Sequence, residues 1–315
     1  MWVKHGLNHL TLANPTGLTI GSFDGVHRGH QALIHQLIEH AHTLDLEAVV
    51  LTFDPLPRQL FGGKPQQLLS SLDERLQYLA SLKPDGVIVI PFDQKFASQS
   101  AETFAGRLIN QLNMKILWIG PDFTLGRDRA GNAARLEELG RERGFEVHTV
   151  PPFLLDGNPV HSSRIRKLLL TGDLKTANQL LGRPYALSGT VVHGEKRGHT
   201  LGFPTANLEV PEERLVPAKG IYVCRVHLPP QHIETLETQS FGAVTNIGTR
   251  PTFNHSETTI EAHILDFSKD IYDAPMRLEF LARLREEKRF DSAAALIAQM
   301  QEDKARAKAW LNGHS

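Results

Sequence analysis

Gly21-Ser-Phe-Asp-Gly-Val-His-Arg-Gly-His30 sets glycines, two histidines and an arginine between a strand-like run and a helix-like run. Before it, Leu18-Thr-Ile20 reads as a short buried strand. After it, Ala32, Leu33, Ile34, Leu37, Ile38, Ala41 and Leu44 recur at helical spacing, so His27 to His30 sit where a helix begins. Unpaired backbone N–H groups at a helix start carry roughly half a positive charge and favour an anion. Glycines let the backbone approach that anion with no Cβ in the way. The stretch therefore reads as a phosphate site, with His27 and His30 three apart and able to turn both rings toward one ligand. A zinc pair is the competing reading, but no nearby Cys or HExxH pattern supplies the further ligands.

Working outward, the strand–helix rhythm continues to about residue 150. Ala48-Val-Val-Leu-Thr-Phe53, Gly86-Val-Ile-Val-Ile90, Lys115-Ile-Leu-Trp-Ile-Gly120 and Phe145-Glu-Val-His-Thr-Val150 read as strands with helices between them. Their cores are continuous in apolar character, which suits a parallel sheet covered on both faces. Ligands of such sheets lie at the carboxyl ends of the strands, where the opening motif leaves the first one. Past Leu181-Gly-Arg-Pro-Tyr185 the pattern changes to short strands broken by Gly and Pro. These are Ala186-Leu-Ser-Gly-Thr-Val-Val192, Ile221-Tyr-Val-Cys-Arg-Val226, Phe241-Gly-Ala-Val-Thr245, Thr259-Ile-Glu-Ala-His-Ile264 and Met276-Arg-Leu-Glu-Phe280, and they predict a small β-barrel. A final helix over residues 292–311 places Leu296, Ile297 and Met300 on one face, expected to pack on the core. The reading is an α/β domain over 1–182 and an all-β domain over 183–315.

At 315 residues the chain is long enough for two cores, and its net charge of −1 supplies no general attraction to nucleic acid or anionic membrane. Bound phosphate must be held by local groups. A lone Cys224 excludes an internal disulfide framework, and neither a signal-peptide pattern nor a spanning apolar run is present, so a cytoplasmic location is expected. No Walker sequence occurs, since Gly63-Lys64 is followed by Pro65, and no GxGxxG follows any strand.

Three more segments carry chemistry. Gly120-Pro-Asp-Phe-Thr-Leu-Gly-Arg-Asp-Arg-Ala-Gly131 follows a strand and so lies at the same sheet edge as the opening motif. His161-Ser-Ser-Arg-Ile-Arg166 opens a helix, where Ser162 or Ser163 can cap free N–H groups and Arg166 presents a planar fork to phosphate. Gly194-Glu-Lys-Arg-Gly-His-Thr-Leu-Gly-Phe-Pro-Thr-Ala-Asn207 crowds Gly194, Gly198 and Gly202 with Lys196 and Arg197 into a flap able to wrap phosphates. In it Thr205 and Asn207, two apart on an extended segment, face one side and could share one Mg²⁺, which prefers oxygen ligands. A glycine-rich hairpin with a Pro-Thr turn is the plainer alternative.

The G-x-F-D-G-x-H-x-G-H stretch resembles the nucleotidyltransferase superfamily, in which H-x-G-H binds the triphosphate of ATP. Phe203-Pro-Thr-Ala-Asn-Leu208, Gly220-Ile-Tyr222, Asn246-Ile-Gly-Thr-Arg-Pro-Thr-Phe253 and Glu261-Ala-His-Ile-Leu-Asp266 occur in the order found in riboflavin kinases. Together the segments resemble the prokaryotic bifunctional riboflavin kinase/FMN adenylyltransferases, or FAD synthetases, over nearly the whole chain. The resemblance implies a Rossmann-like nucleotidyltransferase domain followed by a Greek-key barrel. It implies ATP, riboflavin and FMN as substrates and Mg²⁺ as cofactor, with no nucleic-acid or membrane partner.

Residue by residue, the resemblance places Glu261 as the base toward the riboflavin 5′-hydroxyl and Thr205 and Asn207 on Mg²⁺. Gly194, Gly198, Gly202, Pro204 and Tyr222 fall in the kinase ligand site, and Arg285 with the helix after Phe290 covers the flavin. In the adenylyltransferase, His27 and His30 act on the triphosphate. Gly21, Phe23, Asp24, Gly25, Gly29 and Asp122 shape or line that site, and Ser162, Ser163 and Arg166 close over it. Three departures from the family pattern are His199 and Asp122, where relatives carry Arg and Asn, and His161-Ser-Ser163, where Ser and Thr are usual. Other readings are a monofunctional flavin nucleotidyltransferase, a flavin-binding storage module and an aminoacyl-tRNA-synthetase relative. The near-neutral charge and the missing Lys-rich second signature count against the last.

Overall fold

A computed structural model describes residues 1–61, 67–194, 202–230, 238–251 and 256–314, and the chain divides into two compact units, Met1–Ser162 and Ser163–Ser315. In the first, strands β1 (Trp2–His5), β2 (Thr16–Ile20), β3 (Glu47–Asp54), β4 (Gly86–Pro91), β5 (Met114–Ile119) and β6 (Glu146–Thr149) form one sheet in the order β1-β4-β3-β2-β5-β6. Every pairing is parallel. Between them run α1 (Arg28–Thr43), α2 (Pro57–Phe61), α3 (Leu72–Ser81), α4 (Gln94–Ala97), α5 (Ala101–Leu112) and α6 (Ala133–Arg143).

The apolar runs of the central strands are buried as the sequence predicts: all five residues of β2 are buried, as are Ala48 to Phe53 of β3. The chain steps from β2 to β3 and β4 on one side, then returns to lay β5 and β6 on the other. The strand order therefore reverses between β2 and β5, and a crevice opens outside their carboxyl ends at such a reversal. The segments beginning at Gly21 and Gly120 both leave the sheet there.

The edge strand β1 was not expected from the sequence. It seats the Trp2 indole against Gly86, where a Cβ would lie only 2.2 Å from the ring. A small hairpin of β7 (Leu154–Leu155) and β8 (Asn158–Pro159) turns on Asp156 and Gly157, both at positive φ, the conformation a two-residue Asp-Gly turn favours.

In the second unit α7 (Ser162–Thr171, beginning at the last residue of the first unit) and α8 (Leu174–Leu181) precede a closed barrel. Its strands are β9 (Tyr185–Val192), β10 (Ala206–Glu209), β11 (Gly220–Leu228), β12 (Gln239–Pro251), β13 (Ser256–Ile264) and β14 (Pro275–Arg285), ordered β10-β13-β12-β11-β14-β9 and antiparallel throughout. Strands β11, β12 and β13 form a meander and β10 lies beside β13, which is Greek-key connectivity. The sequence reading includes five of these strands; the sixth, β10, emerges from the end of the glycine-rich loop.

Tyr222, Cys224, Thr245, Ala262 and Phe280 are fully buried. At Gly189 a Cβ would lie 1.9 Å from the Glu209 carbonyl oxygen, so β9 and β10 approach as closely as they do only with glycine there. Helices α7 and α8 are tied to the barrel: Ala218 N–H donates to the Leu169 carbonyl at 2.9 Å and Asn178 Nδ2 to the Phe280 carbonyl at 2.9 Å. They thus fall on the barrel side of the contact division, whereas the sequence reading draws its boundary after residue 182.

The final helix α9 (Ala293–Asn312) departs from expectation. Leu296, Ile297 and Met300 are only half-buried, and the residues it buries are Asp303 and Ala307. Leu296 and Met300 instead wall a cavity, described below.

Candidate active sites

The segment after β2 turns sharply: Phe23, Gly25 and Val26 have φ of +46°, +76° and +37°. Phe23 and Val26 are held in that strained form by burial among Ile34, Val50, Leu79 and Val87. The Asp24 carboxylate, 2% exposed, accepts from Leu69 N at 3.0 Å, Ser70 N at 3.0 Å and Ser70 Oγ at 3.3 Å. Ser70 Oγ in turn accepts from Gly25 N at 2.9 Å. Asp24 thus anchors the turn, and its charge is absorbed by backbone and hydroxyl donors. A buried arginine that the sequence reading passed over, Arg75 on α3, donates to the Ser22 carbonyl at 2.9 Å. Burial pulls its pKa down while Asp24 and Asp54 hold its charge.

His27 is the N-cap of α1, and its Nδ1 accepts from His30 N at 3.4 Å. An accepting Nδ1 leaves the ring proton on Nε2 as a donor. The His27 and His30 rings stack at 3.6 Å, and the Phe23 edge meets His30 at 5.2 Å. Gly21 lies against the Phe23 ring, and at Gly29 a Cβ would come within 3.1 Å of the Val160 carbonyl. Ser162 Oγ donates to the Asp24 carbonyl at 3.2 Å, so this predicted residue shares the turn with the histidine pair. Asp122 is exposed on the loop after β5. Ser163 and the buried Arg166 belong to α7 in the second unit.

In the barrel, register lines up one row of residues on one face. Asn207 of β10 is opposite Glu261 of β13, Glu261 opposite Asn246 of β12, Asn246 opposite Ile221 of β11, and Ile221 opposite Arg285 of β14. Directly paired residues hold their Cβ atoms about 5 Å apart. Thr205, Ile221, Asn246, Glu261 and Arg285 line a cavity of about 380 Å³, closed on its far side by Leu296 and Met300 of α9. That volume is within the range of small-molecule sites. Asn207 is pressed against Gly194, where a Cβ would sit 2.2 Å from Asn207 Nδ2. Gly202 has a positive φ of +80° and open space around it. Gly198, with Lys196, Arg197 and His199, lies outside the described residues.

His263, two residues beyond Glu261 on the same face, also lines the cavity. Its Nδ1 is 2.9 Å from the Pro204 carbonyl, and its ring meets Phe203 edge-on at 5.4 Å. A carbonyl only accepts, so Nδ1 carries the proton. Burial is the main reason the ring's pKa is lowered, with Lys304 adding to it.

Residues 10–164 match the FAD synthetase family and residues 181–311 the riboflavin kinase family. A Haemophilus influenzae bifunctional riboflavin kinase/FMN adenylyltransferase is 41% identical over 298 residues, covering 94% of each chain. The chain belongs to the bifunctional riboflavin kinase/FMN adenylyltransferase family. An Escherichia coli member is 38% identical over 313 residues, 98% of this chain and 97% of that one. A solved structure from Streptococcus pneumoniae, described as a macrolide-efflux protein, superposes with a TM-score of 0.88 at 31% identity, covering 98% of this chain and 99% of that one. Among the described residues no helix is long and apolar enough to cross a membrane.

Two residues expected at the flavin kinase site have structural partners of their own. Tyr222 points to the opposite face from the Asn207–Glu261 row, is fully buried inside the barrel, and its hydroxyl donates to the Ala218 carbonyl. Burial pushes its pKa up to about 12. Arg285 does border the cavity, but its guanidinium is forked onto Asp303 of α9, with Nε 3.0 Å from Oδ1 and Nη2 2.6 Å from Oδ2. Its Nη1 donates to the Glu286 carbonyl at 2.9 Å. The arginine therefore bolts the covering helix to the barrel. Asn246, His263 and Asp303 were not singled out from the sequence. The alternation Asn207–Glu261–Asn246 becomes visible only once the strand register is known.

Proposed function

We propose that the chain converts riboflavin to FMN in its C-terminal domain and FMN to FAD in its N-terminal domain, using ATP for both, with the functional division at residues 1–182 and 183–315. The observation that carries the kinase half is that Thr205 and Glu261 line one cavity, with Asn207 directly opposite Glu261 in the strand register. An alcohol is a poor nucleophile at neutral pH. Glu261 takes the proton of the riboflavin 5′-hydroxyl as its oxygen bonds to the γ-phosphorus of ATP and the bond to the β,γ-bridging oxygen breaks.

Thr205 and Asn207 offer a hydroxyl and an amide oxygen, hard donors of the kind Mg²⁺ takes, and the absence of a side chain at Gly194 is what lets the Asn207 amide lie where it does. Bound there, Mg²⁺ would neutralise charge on the transferring phosphoryl group. Gly194 and Gly202 keep the backbone beside the Thr205–Asn207 segment free of side chains, and Pro204 sets the direction in which Thr205 leads into β10.

In the N-terminal site the FMN phosphate attacks the α-phosphorus of ATP and pyrophosphate leaves. That nucleophile is already an anion and needs no base. His27 and His30 hold the triphosphate through ring N–H groups at the start of α1, while Gly21, Gly25 and Gly29 keep the backbone clear of side chains. The sequence motif assigns Ser163 and Arg166 a hydroxyl and a planar fork for phosphate, and Asp122 on the loop after β5 is assigned to the nucleotide. Both reactions draw on ATP, which fits a cytoplasmic enzyme.

Incubation with riboflavin and Mg·ATP is expected to yield FMN and then FAD by chromatography. Glu261→Ala should suppress FMN formation and spare FAD synthesis from supplied FMN, and His27→Ala with His30→Ala should do the reverse. Equal loss of both activities in either variant would contradict two separate sites.

A further inference from the structure

We infer that His263 is a positioning residue of the kinase site: from the strand that carries Glu261 it holds the Pro204 carbonyl, and through it the direction of the Thr205–Asn207 segment. The inference rests on the reading of Thr205 and Asn207 as Mg²⁺ ligands. Three observations carry it. Nδ1–H meets the Pro204 oxygen at 2.9 Å, one peptide away from Thr205. The ring also braces Phe203 edge-on at 5.4 Å, so the two residues before Thr205 are both held by one side chain. Nε2 is buried and has no hydrogen-bond partner among the described residues.

The last point separates this role from space-filling. A buried polar atom left unpaired is unfavourable, and a leucine or phenylalanine would fill the volume without it. What imidazole contributes that they lack is the Nδ1–H donor, aimed at the one carbonyl that fixes the peptide leading into Thr205. Spacing supports the same conclusion, since residues two apart on a strand share a face. Glu261 and His263 therefore address the reacting group and the metal-ligand segment from one rigid element. Partners that orient metal ligands without touching the metal typically change metal affinity or activity by about 10–100-fold when removed.

The test compares His263→Phe, which keeps a ring and loses the donor, with His263→Asn, whose Nδ2 takes the place of Nδ1, in the full chain. Two readouts are followed: the Mg²⁺ concentration for half-maximal riboflavin phosphorylation, and hydrogen exchange of the peptide covering residues 203–208 with no ligand added. Expected for His263→Phe are a rise of about 10-fold in the Mg²⁺ requirement and about 10-fold faster exchange in that peptide, with both restored to within about twofold by His263→Asn. FAD synthesis from supplied FMN should be unchanged in both, which reports that the chain is folded. An unaltered Mg²⁺ requirement and exchange rate in His263→Phe overturns the inference. So does a His263→Asn variant as impaired as His263→Phe, since ring packing then accounts for the effect. An unaltered Mg²⁺ requirement in Thr205→Ala overturns the metal assignment itself, and the inference with it, whatever the His263 variants do.

Discussion

Replacing Gly194 by alanine should disable the kinase while leaving the barrel folded. The new Cβ would lie 2.2 Å from Asn207 Nδ2, 2.6 Å from Cγ and 2.8 Å from Oδ1. Carbon atoms in contact prefer about 3.5–4.0 Å, so the amide must retreat by roughly 1 Å or more. The obstructing group is the far end of a rotatable side chain, and Gly194 has no positive φ to lose. The cost to folding is that of an unfavourable rotamer, about 0.5–1.5 kcal/mol. For a unit of this size that lowers Tm by roughly 1–6 °C.

The chemistry should suffer far more. Displacing the Asn207 amide oxygen takes a ligand from the Mg²⁺ proposed there, and losing that cation's neutralisation of phosphoryl charge should cost as much as losing one oxyanion-hole donor, about 10²–10³ in kcat. Gly189→Ala is the control. There a Cβ would lie 1.9 Å from the Glu209 carbonyl oxygen, a backbone atom that cannot rotate aside. Strands β9 and β10 must separate, at about 1–3 kcal/mol or more. Its kinase loss should follow its unfolding. Riboflavin phosphorylation against Mg²⁺ concentration, with thermal melting of both variants, decides the matter. A Gly194→Ala enzyme with wild-type kcat and Mg²⁺ requirement would refute the placement of Asn207 in the site.

Three other perturbations are expected to separate structural from chemical roles. Asp24→Asn withdraws the charge that organises Leu69 N, Ser70 N and Ser70 Oγ and should cost about 1.5–3 kcal/mol, with FAD synthesis lost and riboflavin phosphorylation retained, measured by calorimetry and product analysis. Asp303→Ala strands the buried Arg285 guanidinium and should cost about 3–5 kcal/mol in urea titrations, whereas Arg285→Met combined with Asp303→Leu should recover most of that loss. Tyr222, pushed up to about 12 in the fold, keeps its proton while the unfolded chain releases it near pH 10. Stability should therefore be intact below about pH 10 and fall as pH rises toward about 12, a slope that Tyr222→Phe should flatten.

What could be read in advance, and what could not, follows from the range of the interactions. The turn from Gly21 to His30 was legible because periodicity changes there within ten residues and because a helix start has a local chemical signature. Strand β10 was not, since Ala206–Glu209 is four residues long and begins two residues after Pro204, so alternation has no length over which to declare itself. Tyr222 was expected in the ligand site because Gly220-Ile-Tyr222 matches a riboflavin-kinase segment; the pairing of Ile221 with Asn246 and Arg285 puts Tyr222 on the opposite face. Arg285 reads as part of the flavin cover or as a surface charge until Asp303, eighteen positions later, is seen to pair with it. The same holds for Gly194, whose neighbour is Asn207 on another strand. Contacts made across strands carry no mark in the order of residues.

The distribution of carboxylates between the two sites bears on which domain performs which reaction. An alcohol needs a base near the transferring phosphoryl group, and a carboxylate there is tolerable only where cations offset its repulsion of ATP. Glu261 stands beside oxygen donors suited to Mg²⁺, in a cavity where Lys288, Lys304 and Arg285 stand against Glu287 and Asp303, so the offsetting charge must come from the metal. A phosphate nucleophile gains nothing from a base, and an uncompensated carboxylate would repel both phosphate-bearing reactants, so Asp122, proposed to flank the nucleotide, needs a bridging cation there. The carboxylate embedded in the His27–His30 motif is Asp24, and its oxygens are turned away into Leu69 N, Ser70 N and Ser70 Oγ. Exchanging the assignments would give the alcohol a motif whose own carboxylate is already committed, and would set the phosphate anion against Glu261. The order of chemistry along the chain, adenylyl transfer in the first domain and phosphoryl transfer in the second, is that of the two family matches, and the commitment of Asp24 to backbone donors agrees with it.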